Sequence, residues 1–183
     1  SLVGSEMCIR DRMVSLRIND IPVTVPEGST VLEAARSAGF NIPSLCFLKD
    51  INEIGACRIC VVEVKGAKSL VTACVYPVSE GMEVVTNSEK VMASRKTNLE
   101  LLLSTHDQNC LSCVRSTDCE LQRLCRDYGV NGQRFVGTRE RYALDDSAPH
   151  MIRDNNKCIL CRRCVTVCNE IQQVGAIAAQ NRG

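Results

Sequence analysis

Tryptophan is absent from this 183-residue chain, and three phenylalanines and three tyrosines make up all of its aromatics. Little large apolar surface is therefore available for burial, and below about 70 to 80 residues a core alone rarely holds a fold. Long apolar runs are missing too. Nothing approaches the roughly 20 residues of a membrane-spanning helix, and stretches such as 174–179 are the longest candidates. Charge of one sign is not in excess: 22 Lys and Arg face 21 Asp and Glu, spread along the length, for a net charge of +1. The basic stripe of a nucleic-acid binder is thus excluded. No stretch reads as a secretory leader, and a C-x2-C-x2-C run is untypical of secreted disulfide scaffolds. A reducing compartment, by default the cytoplasm, is expected.

Cysteine is what the chain has in quantity, with thirteen. Eleven fall into three groups: Cys46, Cys57, Cys60 and Cys74; Cys110, Cys113 and Cys119, introduced by His106; and Cys158, Cys161, Cys164 and Cys168. Three ligand groups imply three small modules, each stapled by metal. Cys8 and Cys125 stand outside. Residues 1–12 carry no strand or helix period and read as an extraneous leader, with the native start expected at Met13 and no role for Cys8.

Residues 14–18 and 21–25 alternate as a β-hairpin about Asn19 and Asp20, ended by Pro26, Glu27 and Gly28. Thr30 and Glu33 form a capping box; Val31, Leu32, Ala35 and Ala38 line one helical face, and Gly39 stops the helix. Strands are expected over 59–64, 70–75 and 82–86, giving a small mixed sheet with one packed helix. From Ser88 the period turns helical through Val91, Met92, Leu99, Leu102 and Leu103, which places Arg95, Lys96 and Glu100 toward water. A glycine-punctuated loop is expected over 129–137, a linker over 145–149, and a new module from Met151.

The first group spaces as C-x10-C-x2-C-x13-C, which suits a 2Fe-2S cluster wrapped by one loop with a fourth thiolate arriving from a later strand. Gly55 and Ala56 permit close backbone approach there, and Arg58 sets a positive charge between two ligands. Four-thiolate zinc is the alternative, although zinc sites usually pair two C-x2-C knuckles. In the second group, H-x3-C-x2-C-x5-C, His106 would join three thiolates on a 4Fe-4S cluster. A neutral ligand leaves that site less negative and raises its potential. A capping histidine or a three-thiolate zinc site are the competing readings. The third group is the bacterial ferredoxin run C-x2-C-x2-C-x3-C, whose fourth cysteine binds the other cluster in two-cluster ferredoxins. Cys158, Cys161 and Cys164 would then hold three corners of one 4Fe-4S cluster, with Cys168 serving a second whose partners are not in this sequence. Asn169 stands where that run usually has proline. Lys157, Arg162 and Arg163 either offset cluster charge or form a solvated face. Cys125 follows Leu121 and Leu124 on a short helix and reads as a buried structural thiol.

The segments CFLKDINEIGACRICVVEVKGAKSLVTACVYPVSEGMEV, HDQNCLSCVRSTDCELQRLC and RDNNKCILCRRCVTVCNEIQQVGAI closely resemble the N-terminal electron-relay region of FeFe hydrogenases, especially the NADP-reducing and electron-bifurcating catalytic subunits. The resemblance implies an α+β chain. A β-grasp 2Fe-2S ferredoxin domain would occupy 13–88. A small, mostly helical 4Fe-4S domain with one histidine and three cysteine ligands, plus a linker, would occupy 89–150, and a truncated bacterial-ferredoxin-like 4Fe-4S module 151–183. One or two further 4Fe-4S clusters are implied for the full-length protein, whose catalytic H-cluster domain is not in this sequence. This chain would then relay electrons without a catalytic site of its own. Implied partners are ferredoxin or an NAD(P)H-oxidising flavoprotein subunit. The large iron-sulfur subunit of complex I, some formate dehydrogenases and the diaphorase-side subunits of NAD-linked hydrogenases are similar over the same span. Their second motif has proline after the histidine and a glycine pair before the last cysteine; here stand Asp107 and Ser116-Thr117-Asp118, which favours the hydrogenase. A stand-alone carrier and a zinc-stabilised module are the remaining alternatives.

Overall fold

The computed structural model describes residues 12–180 apart from 133 and 137–139. The expected leader lies outside the described residues except for Arg12, whose carbonyl accepts the Glu27 N–H at 2.8 Å and so extends the first hairpin. That hairpin is β1 (Met13–Ile18) and β2 (Ile21–Pro26), with Asn19 and Asp20 at φ 48° and 67°. Two left-handed residues match the twist of the flanking strands. Val14, Leu16 and Ile18 of β1, with Val23 and Val25 of β2, point inward. Helix α1 (Val31–Ser37) follows, capped as its sequence predicts: the Glu33 N–H donates to Thr30 Oγ1 at 3.3 Å and the Thr30 N–H to Glu33 Oε2 at 2.9 Å. Thr30→Ala is expected to cost about 1 kcal/mol, read as a lowered thermal midpoint; an unchanged midpoint would refute the cap's contribution.

The sheet is completed by β3 (Val61–Val64), β4 (Val71–Thr72) and β5 (Glu83–Val85) in the order β2-β1-β5-β3-β4. β1 and β5 run parallel, and the other neighbours are antiparallel. This is the expected mixed sheet, with α1 burying Val31, Leu32, Ala34 and Ala35 against it. β4 is shorter than the expected 70–75 because the chain turns over 73–75. The Ala73 N–H still reaches the Cys60 carbonyl at 3.1 Å, while the Ala73 carbonyl is taken by the Leu32 N–H at 2.9 Å.

Helix α2 (Glu89–Thr105) is capped by Ser88, whose Oγ accepts the Val91 N–H and donates to Glu63 at 2.8 Å. Two of its expected outward residues are inside: Arg95 is 3% exposed and Glu100 6%. The Lys65 N–H bonds to the Glu83 carbonyl, so odd-numbered groups of β3 face β5, but β5 ends at Val85 before reaching Val61. Arg95 fills that vacancy, giving Nη2 at 2.7 Å and Nε at 3.2 Å to the Val61 carbonyl and Nη1 at 3.0 Å to the Tyr128 hydroxyl. Glu100 is paired with Arg134 at 3.5 Å. Met92, expected on the apolar face, is on the outside.

A second core joins Leu45, Cys46, Cys57 and Ile59 of the first cysteine loop to Leu99 of α2, to Leu121, Leu124 and Cys125 of α3 (Glu120–Asp127), and to Val130. The expected linker over 145–149 is instead half of a hairpin: β6 (Asp145–Ala148) pairs with β7 (Met151–Arg153), and Arg153 bonds to Asp145 at 2.8 Å. Asp145 also accepts the Ser147 hydroxyl, so its turn composition serves the strand end. The chain then forms α4 (Arg163–Thr166), which runs into a π-helical turn at Val167–Ile171. No residue described between 151 and 180 is fully buried. Among the described residues, no helix is long and apolar enough to cross a membrane.

Candidate metal centres

The first group converges. Cys46, Cys57, Cys60 and Cys74 come from three segments, the stretch after α1, the 55–60 loop and the turn after β4, and all four are buried. Their thiols touch in series, Cys57 to Cys46, Cys46 to Cys74 and Cys74 to Cys60. Hydrogen bonds from the Cys57 and Cys74 thiols, aided by the amides of Cys57 and Ala56, pull Cys46 far below the ordinary thiol value. The same thiol contacts, with burial, push Cys57 and Cys74 up. Cys60 is drawn down to about 7, chiefly by its bond from Cys74. Thiolate is the metal-binding form, and this site already has amide and thiol donors aimed at sulfur. Gly55 takes a left-handed φ of 61°, and a Cβ there would meet Val75 Cγ2 at 3.3 Å, beside Cys74. A donor set of buried soft thiolates served by amides fits an iron-sulfur cluster.

The second group is looser. His106 is the C-cap of α2 and half buried, so the capping position and the ligand position coincide. Cys110 begins a 3-10 turn (Cys110–Ser112), the Cys113 N–H bonds back to the Cys110 carbonyl at 3.1 Å, and Cys119 is the N-cap of α3. These four residues line two adjoining cavities. One of about 210 Å³ takes His106, Cys110 and Cys119; another of about 610 Å³ takes His106, Cys113 and Cys119. Room for a polynuclear group therefore lies between the expected ligands. Cys125 lies on α3 in the second core, which also holds Cys46 and Cys57; burial, then the nearby Cys119 and Cys110, push its thiol up to about 11, in keeping with a structural role.

In the third group Cys158 and Cys164 are exposed, and Cys161 and Cys168 half-buried. The Leu160 N–H donates to Cys158 Sγ at 3.4 Å. Leu160 and Arg162 take left-handed φ of 55° and 59°, a cost that non-glycine residues bear mainly at functional loops. Cys161 also lines the 610 Å³ cavity with Leu45, His106, Cys113 and Cys119, so one interior is walled by all three cysteine-bearing regions. The flanking basic residues do something neither expectation named. Lys157 pairs with Asp107 at 3.0 Å and donates to the Asn109 carbonyl at 2.8 Å, docking on the second ligand loop. Arg163 donates to the carbonyls of Cys46 and Phe47, docking on the first. Asn52, fully buried, was not singled out by the sequence; it bonds the carbonyls of Cys46 and Cys161 and accepts from Thr166. An asparagine in a loop reads as a turn residue, so spacing offered no signal for it.

Comparison with known proteins identifies the first two regions as iron-sulfur binding. Residues 11–89 match the 2Fe-2S iron-sulfur cluster binding domain, and residues 95–134 match the NADH-ubiquinone oxidoreductase-G iron-sulfur binding region. The chain is 42% identical over 176 residues to the NADP-reducing hydrogenase subunit HndD of Solidesulfovibrio fructosivorans, covering 93% of this chain and 30% of that protein. It is 40% identical over 171 residues to the NADPH-Fe(3+) oxidoreductase subunit alpha of Geobacter sulfurreducens, covering 93% of this chain and 20% of that one. It thus spans less than a third of the length of these curated relatives. Among solved structures, an NAD+-reducing [NiFe]-hydrogenase in the H2-reduced state superposes with a TM-score of 0.85 at 34% identity, over 93% of this chain and 71% of that one.

Proposed function

Because the chain belongs to the iron-sulfur family that joins a 2Fe-2S cluster binding domain to an NADH-ubiquinone oxidoreductase-G type region, as in NAD(P)-reducing hydrogenases, we propose that it relays electrons within an FeFe hydrogenase. Cys46, Cys57, Cys60 and Cys74 hold the 2Fe-2S cluster on a β-grasp sheet. His106, Cys110, Cys113 and Cys119 hold a 4Fe-4S cluster, and Cys158, Cys161 and Cys164 hold three corners of another, with Cys168 serving a neighbour. When bound, the clusters supply one-electron transfer. The protein's own part is to exclude water around the first centre, to aim amides at sulfur and to fix the three loops against one another. The observation that carries this reading is the interior walled by Leu45, by His106, Cys113 and Cys119, and by Cys161. The partners are redox proteins or subunits, ferredoxin or an NAD(P)H-oxidising flavoprotein among them. A complex I-type parent fits the same features equally well, since the second region carries that subunit's signature.

His106 is the residue to test. In a His106→Cys variant a neutral ligand becomes anionic, which disfavours the reduced cluster. The 4Fe-4S midpoint is expected to fall by roughly 59 mV or more, tenfold for one electron, with the 2Fe-2S midpoint unmoved. An unchanged 4Fe-4S midpoint in an EPR-monitored redox titration would remove His106 from the ligand set.

A further inference from the structure

Arg163 belongs to the third cysteine run, between Cys161 and Cys164, yet its guanidinium serves the first centre. Nε donates to the Cys46 carbonyl at 3.2 Å and Nη2 to the Phe47 carbonyl at 3.0 Å. Beneath it lies Asn52, whose Nδ2 bonds the Cys46 carbonyl at 2.7 Å and the Cys161 carbonyl at 3.1 Å, and whose Oδ1 accepts the Thr166 hydroxyl at 2.7 Å. With both amide hydrogens and the oxygen engaged, the Asn52 amide is held in one orientation. One buried side chain thus ties a candidate ligand of the first centre to a candidate ligand of the third, and a cation from the third lies against the first. Glu120 approaches Arg163 at 3.9 Å and offsets part of that charge.

We propose that Arg163 and Asn52 form a latch through which the docked third run sets the reduction potential of the 2Fe-2S centre. Arg163 is a positioning residue: it touches the backbone of Cys46 and Phe47. The inference rests on the 2Fe-2S reading above. Reduction adds one electron, hence one negative charge, to a centre whose ligands are already anionic. A guanidinium fixed on the carbonyl of Cys46 itself favours the reduced state, and its planar fork keeps it on two adjacent carbonyls where lysine would hold only one. Were the run undocked, that charge would leave and the centre would become harder to reduce.

The test is a potentiometric titration of the 2Fe-2S EPR signal in the full chain, loaded anaerobically. At a fixed poise, Arg163→Gln is expected to lower the reduced-to-oxidised ratio about tenfold. Arg163→Lys, which keeps the charge and loses the fork, is expected to stay within about threefold of wild type. Asn52→Leu frees the run and moves the ratio in the same direction as Arg163→Gln, and the double variant goes no further than the larger single one. Should Arg163→Gln fail to load iron, Asn52→Leu decides alone. Ratios in Arg163→Gln and Asn52→Leu indistinguishable from wild type would overturn the latch, as would full additivity in the double variant. A wild-type chain with no 2Fe-2S signal would sink the underlying reading instead.

Discussion

A Cys74→Ala variant is expected to retain less than about a tenth of the 2Fe-2S absorbance and reduced-state EPR signal, with the 4Fe-4S signal intact. Cys74 is the member of its group that comes from beyond the loop: it lies in the turn after β4 and touches both Cys46 and Cys60. Removing it takes away the thiol that contacts both Cys46 and Cys60. Among the described residues, Cys125 is the one cysteine outside the three groups. Cys125 belongs to the second core and its thiol is pushed up to about 11 by burial. Because a preformed site and its metal share their free energy with folding, the variant is also expected to melt early, starting with the 46–60 loop. Iron counting together with EPR decides the matter: a full 2Fe-2S signal in Cys74→Ala would show that the fourth ligand lies elsewhere.

Arg95→Met is expected to cost about 2 to 4 kcal/mol, or roughly 4 to 16 °C in thermal midpoint for a domain of this size. The substitution keeps the volume and most of the apolar stem. It strips two donors from the Val61 carbonyl, which stays in place because the sheet fixes it, and one from the Tyr128 hydroxyl. Two effects oppose each other. Burying a guanidinium is costly, and apolar replacements of buried charges are sometimes neutral. Here, among the described residues, no carboxylate pairs with Arg95, so what is lost is hydrogen bonding to a backbone acceptor that β5 cannot reach. The orphaned carbonyl therefore outweighs the relief of desolvation. A melting point within about 1 °C of wild type, well under the shift that 1 kcal/mol gives, would show that water reaches Val61 instead.

What could be read from the sequence was what depends on neighbours along the chain. The hairpin at Asn19 and Asp20, the Thr30 and Glu33 cap, the buried Cys125 helix and the grouping of cysteines all follow from short spacings. What was missed depends on distant pairs. Arg95 and Glu100 fall on the polar side of a one-stripe helix, but α2 is covered on more than one side, by the sheet at Arg95 and by the second core at Leu99. A helix contacted on several faces has no single stripe to find. Asp145 and Arg153 are eight residues apart and looked like linker and module start until the hairpin joined them. Spacing suggests a charge role for Lys157 and Arg163 but not their contacts, the backbone carbonyls of earlier loops. Partners on other elements, 48 positions away for Lys157 and more than a hundred for Arg163, leave no periodic trace.

Helix α2 is the common beam of the first two iron-sulfur units. Near its start Ser88 bonds to Glu63; farther along, Arg95 grips β3, Asn98 takes the Arg58 carbonyl at 2.8 Å and Leu99 seats the second core, and His106 closes the end. The seam between the two matched families falls inside its first two turns. An evolutionary or engineered splice at that seam would sever a shared girder rather than an empty joint. Exchange of parts among such proteins should respect the whole span from Ser88 to His106, inherited with both neighbours or with neither.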